Sequence, residues 1–455
     1  MESERSSPAH RAKALSQRPV VDRETASRAR DRLDVAHARL HRKWGRLFWL
    51  LTGPGILVML GENDAPSMLS YAATGSRFGI GFFIPFVLLT FAMALVVQEI
   101  TVRLGAASKM GHAELIYKRF GRFWGNFAMV DLLFANFLTL VTEFVGIVAG
   151  AGYFHVPAPF AVLLGLAVVS SALLFRRYWS WERLILALAS FNLVFFVVAL
   201  MAPIPWSGVG HALWSWAPWP GHWSANILIM ILADIGATIT PWMLFFQQGA
   251  ITDKGLAQRD ILWGRIDTTL GAILAAIAAI GCIAVTALLY HHPMNARQFG
   301  AAQFAQALVP FIGRLGGALF ALGIFDAGLV AAVAISTSSA YAFGEVVQQG
   351  HSLNQEFHEA KGFYLVLIGV ATIAGGMVIL PGFPLEMVVI IVNVVAVLTM
   401  PPAIGFLLIL ANDREVVGVH QNSGLLNILG ILVGVFISLA GIIYAFTVMF
   451  PTLPG

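Results

Sequence analysis

The sequence predicts an all-α polytopic membrane protein, and three observations carry that prediction. The 455 residues are 58% hydrophobic and only 11% charged, whereas a soluble domain carries about 25% charged residues. The apolar residues gather in eleven blocks, each of roughly the 20 residues that a helix needs to cross a bilayer core. The basic residues cluster on one side of those blocks.

Taken in order, the expected spans are 46–74, 80–102, 124–153, 158–176, 183–203, 225–251, 263–290, 312–344, 363–381, 384–411 and 423–449. Residues 1–45 precede them as a basic cytoplasmic tail, whose low apolar content predicts disorder or an amphipathic segment. Residues 450–455 follow as a short extracytoplasmic C-terminus. Eleven crossings with the N-terminus inside place 25 of the 28 Lys and Arg in the tail and the cytoplasmic loops, leaving only Arg77, Arg297 and Arg314 elsewhere. That asymmetry obeys the positive-inside rule, and one span more or fewer would scramble it. The Trp-rich stretch His211–Trp223 then lies outside, where indole rings suit the water–lipid interface.

Span one and span six are interrupted. Glu62-Asn63-Asp64-Ala65-Pro66-Ser67 breaks the run that begins at Gly53-Pro54-Gly55, and Asp234 to Trp242, with Gly236 and Pro241 inside, breaks the other. A broken helix frees backbone groups that hydrocarbon cannot satisfy, so such breaks line a protein-walled cavity. Two of them in corresponding places of two halves mark the binding site of a secondary transporter. Two five-span halves of opposite orientation plus one further helix fit this placement.

Asp64 is the central candidate. A carboxylate at mid-membrane needs a partner, and no Lys or Arg lies in the central part of any span. A bound cation meets that need; bonding to the freed amides is the structural alternative. Pro241 removes an amide donor and leaves an upstream carbonyl free to ligate. Thr240 and Ser67 add hydroxyls, and each has helix-to-helix bonding as its ordinary use. Glu143 in span three and Asn393 in span ten are further polar groups in apolar helices, and Asn393 serves equally well as interhelical glue. Glu62 and Asn63 are left open. All these donors are oxygens, which suit magnesium, calcium or manganese better than softer metals. Magnesium usually keeps part of its water shell. The single cysteine, Cys282, permits no intrachain disulfide and is expected to be an inert core thiol. No nucleophile–base pair, cofactor motif or zinc-type spacing is present, so neither an enzyme nor a nucleic-acid binder is expected.

The motifs Gly53-Pro54-Gly55, Asn63-Asp64-Ala65-Pro66-Ser67 and Gly236 to Trp242 resemble those of the Nramp divalent-metal transporters, with the likeness running to Pro401-Pro402. Members carry Asp-Pro-Gly-Asn in span one and Met-Pro-His in span six. The resemblance assigns Asp64 as the metal-binding aspartate, Ser67 to the place of the asparagine ligand, and Ala237 to the carbonyl ligand. It puts Thr240 where members have methionine and Trp242 where they have histidine. Glu143 with Gly146 matches the family's span-three glutamate, and Leu140 stands at its aspartate. These departures resemble the Nramp-related magnesium transporters.

The resemblance therefore implies a leucine-transporter-like fold with 5+5 inverted repeats plus an eleventh helix. Together with Asn393 from the polar groups above, it gives an expected metal site of Asp64, Ser67, Ala237, Thr240, Glu143 and Asn393. The expected function is alternating-access transport of Mg²⁺, and also Mn²⁺, without proton coupling. The divalent cation is substrate, no cofactor is needed, and the partner is the lipid bilayer, expected to be a bacterial inner membrane. The competing expectations are a proton-coupled Mn²⁺ or Fe²⁺ importer relaying through Glu143, Asp131 or Asp234, a sodium-coupled organic-solute carrier, and a sensor that binds metal without moving it.

Overall fold

Backbone polar groups inside a bilayer must be bonded within the protein, and a run of apolar residues satisfies this most simply as a helix. The computed structural model describes residues 31, 33–175, 177–221, 224–290, 292, 300–380, 382 and 385–449. The expectations for residues 1–30 and 32 of the tail, for His222 and Trp223, and for 450–455 lie outside the described residues.

The principal helices are α1 (Trp44–Leu51), α2 (Pro54–Gly61), α3 (Ala65–Phe78), α4 (Phe83–Ser108), α5 (His112–Phe120), α6 (Arg122–Gly152), α7 (Ala158–Ser170), α8 (Tyr178–Ser190), α9 (Val194–Met201), α10 (Trp206–Ser215), α11 (Ala225–Gly236), α12 (Pro241–Lys254), α13 (Ile261–Thr286), α14 (Ala301–Val347), α15 (Lys361–Val378), α16 (Leu385–Asn412) and α17 (Gly424–Met449). Among the described residues, nine helices, counting α8–α9 and α11–α12 each as one, are long and apolar enough to cross a membrane. Two more segments have the dimensions of crossings. One is the shorter apolar stretch Ala158–Leu174. The other is α2 with α3, of 8 and 14 residues, together roughly 33 Å at 1.5 Å per residue.

The first span differs from expectation at its start. The helix does not run from residue 46 through the break, because Gly53 sits at φ +148° and Pro54 opens a new helix. The chain bends by 52° there. Helix α1 therefore meets α2 at an angle, burying Leu47, Leu50 and Leu51 while Trp44 and Trp49 stay exposed. In α14, Gly313 at φ +72° separates an outer segment from the expected eighth span. Helices α5 and α10 are short connections that periodicity did not anticipate.

Helices α6 and α14 pack against each other through the middle of the bundle. Asn136 Nδ2 donates to Ser339 Oγ at 3.0 Å, and a side chain at Gly328 would come within 2.9 Å of the Glu143 carbonyl. The polar run Ser336–Ser339 is thus buried bundle interior, and Ser338 Oγ donates to the Trp242 carbonyl at 3.0 Å. Cys282 is a buried free thiol whose Sγ lies 3.4 Å from the Met68 carbonyl, in keeping with an inert core role.

The end of the bundle that carries most basic residues is tightly closed. Lys254 Nζ, at the last turn of α12, bonds Glu182 Oε2 at 2.5 Å and the Thr52 carbonyl at 2.6 Å. The two side chains are only 1% and 4% exposed. Asp267 on α13 accepts the amides of Gly53 at 2.8 Å, Gly55 at 2.6 Å and Ile56 at 3.2 Å, capping α2. Asp253 accepts from Tyr341 Oη at 2.8 Å and from the Leu353 amide at 2.9 Å, adding α14 and the following loop to the closure. Two ion pairs, Asp31 with Arg177 and Arg39 with Asp260, tie the end of the tail to the same face. Removing one partner of a buried pair strands the other, at a cost of about 3–5 kcal/mol. Lys254→Met should therefore lower the melting temperature of the purified protein well below that of the parent, and adding Glu182→Gln should restore most of the loss. A single variant that melts like the parent would show that water reaches these charges.

Candidate cation site at the paired helix breaks

The first break is narrower than the sequence suggests. Glu62 still has helical dihedrals, with its amide on the Val58 carbonyl, and the chain leaves the helix only at Asn63 and Asp64. Asp64 is the N-cap of α3, its Oδ1 accepting from the Ser67 amide at 2.8 Å, and Pro66 occupies the first turn where an amide donor is not needed. Ala65-Pro66-Ser67 thus begin the second half-helix rather than interrupt it. The buried turn is stitched by its neighbours. Asn192 Nδ2 donates to the Asn63 carbonyl at 2.9 Å, and Asn63 Nδ2 donates to the Ala275 carbonyl at 2.8 Å.

The second break covers only Ala237 to Thr240. The amides of Thr238 and Ile239 both reach back to the Ile235 carbonyl at 3.0 Å, and Thr240, in extended conformation, precedes Pro241. Asp234 lies within α11, where its carboxylate accepts from Thr74 Oγ1 at 3.0–3.2 Å. Gly236 permits the break to rest against α16, because a side chain there would come within 1.8 Å of the Asn393 carbonyl.

The two breaks meet. Thr240 Oγ1 donates to both Glu62 oxygens, at 2.8 and 3.0 Å. Tyr71 Oη lies 2.8 Å from Thr238 Oγ1 and 3.4 Å from the Ala237 carbonyl. Glu143 Oε2 accepts from the Ala65 amide at 3.1 Å, next to Asp64 in the chain. Ser67 Oγ, Glu143 Oε1 and Asn63 Oδ1 are buried without a hydrogen-bond partner.

Asp64, Ser67, Ala237, Thr240 and Glu143 are therefore brought together, and none of them is more than 3% exposed, so the site is closed from both ends. Asn393 reaches only its edge. Its Nδ2 donates to Ser70 Oγ at 2.9 Å and to the Pro66 carbonyl at 3.3 Å, the helix-joining role. The other acids considered as relays are dispersed. Asp131 is roughly 18 Å from Glu143 along α6, and Asp234 bonds the far half of α3. Glu62 and Tyr71 are the members that sequence reasoning did not assign. Glu62 stood within the motif, but its direction depends on helical geometry persisting one residue past Gly61.

Electrostatically, Glu62, Asp64 and Glu143 form a buried acidic group, and among the described residues none of the three is paired with a Lys or Arg. Three such acids cannot all be ionised without a compensating proton or cation. Among the described residues no group of three or more His, Cys, Asp or Glu side chains makes a ready cage for a metal. A cation here would use hydroxyl and carbonyl oxygens alongside the carboxylates.

The family model for natural resistance-associated macrophage protein-like (Nramp) proteins matches residues 55–447. Similar curated proteins include the divalent metal cation transporter MntH of Mycobacterium leprae, 24% identical over 416 residues, covering 87% of this chain and 91% of that one. The MntH of Verminephrobacter eiseniae is 22% identical over 444 residues, 91% and 93% of the two chains. With the MntH of Xylella fastidiosa Temecula1 the match is 25% identical and spans 68% of this chain but only 66% of the relative's length. Among solved structures, a single-residue mutant of the Eremococcus coleocola manganese transporter superposes with a TM-score of 0.70 at 18% identity, covering 90% of each chain. MhsT in complex with L-phenylalanine superposes with a TM-score of 0.56 at 15% identity, covering 87% of this chain and 98% of that one. The fold is thus the leucine-transporter type. With the family model running from the start of α2 almost to the end of α17, the chain belongs to the Nramp family.

Proposed function

We propose that this protein is a divalent-cation importer working by alternating access, with Mn²⁺ as its principal cargo and a proton exchanged at the site. The observation that carries the proposal is the burial of Glu62, Asp64 and Glu143 at the two breaks, with Glu143 on the amide that follows Asp64 and Glu62 on Thr240. Buried carboxyl groups so placed retain a proton when no cation is present. A divalent ion entering among Asp64, Ser67, Thr240 and the Ala237 carbonyl would displace it, because ligands bind metal deprotonated, and the proton would leave on the side to which the cation is released. Oxygen donors suit manganese, and the relatives are named as manganese or divalent metal cation transporters. Release toward the basic end requires α2 to leave its Asp267 cap and the Lys254–Glu182 pair. The positive-inside asymmetry favours that end as cytoplasmic, in a bacterial inner membrane.

The magnesium expectation is kept as a second reading, on one observation. Thr240 and Glu62 face each other where a thioether would select softer metals, giving an all-oxygen site that accepts a partly hydrated ion. Protons need not drive such a carrier. A divalent ion gains about 4.6 kcal/mol per 100 mV, since each charge gains about 2.3 kcal/mol, enough for a roughly thousandfold gradient.

Proteoliposomes containing an internal pH dye separate the two. Saturable Mn²⁺ uptake with acidification of the lumen supports the first reading, and Mg²⁺ uptake at constant pH supports the second. Asp64→Ala should reduce flux of either ion to the background of empty liposomes, and near-normal flux would remove the site from the pathway. Glu143→Gln should leave Mn²⁺ binding within about tenfold of the parent, a difference of about 1.4 kcal/mol, while abolishing the pH signal. Thr240→Met loses the bond to Glu62 and should raise Cd²⁺ transport relative to Mg²⁺; an unchanged ion profile would place selectivity elsewhere.

A further inference from the structure

A second built site lies away from the helix breaks, at the basic end of the bundle where α4, α13 and α17 converge. It is a groove of about 420 Å³ whose walls include Leu95, Val96, Glu99, Arg103, Arg265 and Leu429, a volume within the roughly 300–1,000 Å³ of ligand pockets. Its lining is sorted by depth. Arg103 lies near the end of α4, with Leu95 and Val96 about two turns deeper. Leu425 and Leu429, on the first turns of α17, are 68% and 37% exposed, so the groove has an apolar, open side.

The polar mouth carries two cations and one anion. Glu99 Oε1 is shared between Arg103 Nη2 at 2.7 Å and Arg265 Nη2 at 2.5 Å, and Arg103 Nη1 donates to the Gln421 carbonyl at 3.1 Å. Both arginine Nε groups and Glu99 Oε2 are buried with no hydrogen-bond partner. Two guanidinium donors and one carboxylate acceptor are thus left unpaired at the head of an apolar slot. Basic pockets between membrane helices on the cytoplasmic side select anionic headgroups.

We propose that this groove holds one phospholipid with an anionic, hydroxylated headgroup, of the phosphatidylglycerol kind. Its phosphate meets the guanidiniums of Arg103 and Arg265, a headgroup hydroxyl donates to Glu99, and an acyl chain follows Leu95, Val96 and Leu429 inward. The site adjoins the closure of the basic end. Thr268 lines it and follows Asp267, the residue that caps α2, and Gly55 packs directly against Thr268. A lipid seated here holds α13 against α4 and α17 and steadies that cap. The proposal depends on the chain's embedding in a bilayer and not on which cation it carries.

Native mass spectrometry of the full chain, released from detergent after incubation with equal amounts of phosphatidylglycerol, phosphatidylethanolamine and phosphatidylcholine, tests it. The expected result is one retained phosphatidylglycerol at about fivefold over either zwitterionic lipid, the scale of one arginine's attraction to an anionic surface. Arg265→Gln should bring that preference below about twofold by the same measure. Leu429→Trp, which fills the slot and leaves both arginines in place, should lower retention of all three lipids. If Arg265→Gln fails to fold, Leu429→Trp still decides the matter. Equal retention of the three lipids, or a preference that survives Leu429→Trp, would overturn the site.

Discussion

The structure depends on one constraint: backbone groups released at a helix break inside a bilayer must find partners in protein. Each break here is surrounded accordingly. Asn192 bonds the carbonyl of Asn63, Asp64 caps the helix that restarts after it, and Tyr71 approaches the carbonyl of Ala237. Prolines stand at the second position of α3 and the first of α12, where a missing amide costs nothing. What remains unpaired after this stitching includes Ser67 Oγ, Asn63 Oδ1 and one oxygen of Glu143. The breaks thus leave oxygen atoms available while several of the freed backbone groups are bonded by neighbouring helices.

The helical class, the order of the crossings, the two breaks and most of the acidic site were legible in the sequence because each is a local composition signal. Asp64, Glu143 and the Thr240-Pro241 pair stand out against apolar runs. Facing was not legible. Whether Glu62 points into the site depends on α2 keeping its helical course through residue 62, and Asn393 turns out to join α16 to α3 through Ser70, while Gly236 lets α11 rest against its carbonyl. Lys254 was hidden for a different reason. In a chain whose basic residues sit at one end, a lysine there reads as topology, and its burial with Glu182 emerges only once α8 and α12 are packed. The bend inside the first span was not legible because Trp44–Leu51 reads as a continuous apolar start, and only the Gly53 dihedral and the Pro54 restart show the change of direction.

Small residues decide where helices meet. The contact of α6 with α14 exists because Gly328 lets that helix approach the Glu143 carbonyl, so the carboxylate above it is held against Ala65 and Asp64 rather than hanging in lipid. In a membrane, where lipid is as apolar as leucine, close packing and interhelical hydrogen bonds take over the organising role of the hydrophobic effect. Asn136 with Ser339 and Ser338 with the Trp242 carbonyl supply those bonds along the same helix.

The closure and the cation site share one lever. Helix α2 is eight residues long, roughly 12 Å, with its first amides fixed by Asp267 and its last residue leading to Glu62 and Asp64. A segment this short transmits displacement without bending, since each turn is bonded to the next. Opening the basic end by pulling Gly53 and Gly55 off Asp267 must therefore shift Glu62 against Thr240 at the other end. The converse follows by linkage: a cation that draws Glu62, Asp64 and the α12 terminus together changes how firmly Asp267 and the Lys254–Glu182 pair hold. On the proposed function, cargo binding and gate opening are two readings of the position of a single half-helix. The groove beside Thr268 lies against the fixed end of that same helix, which is where a bound lipid would act on it.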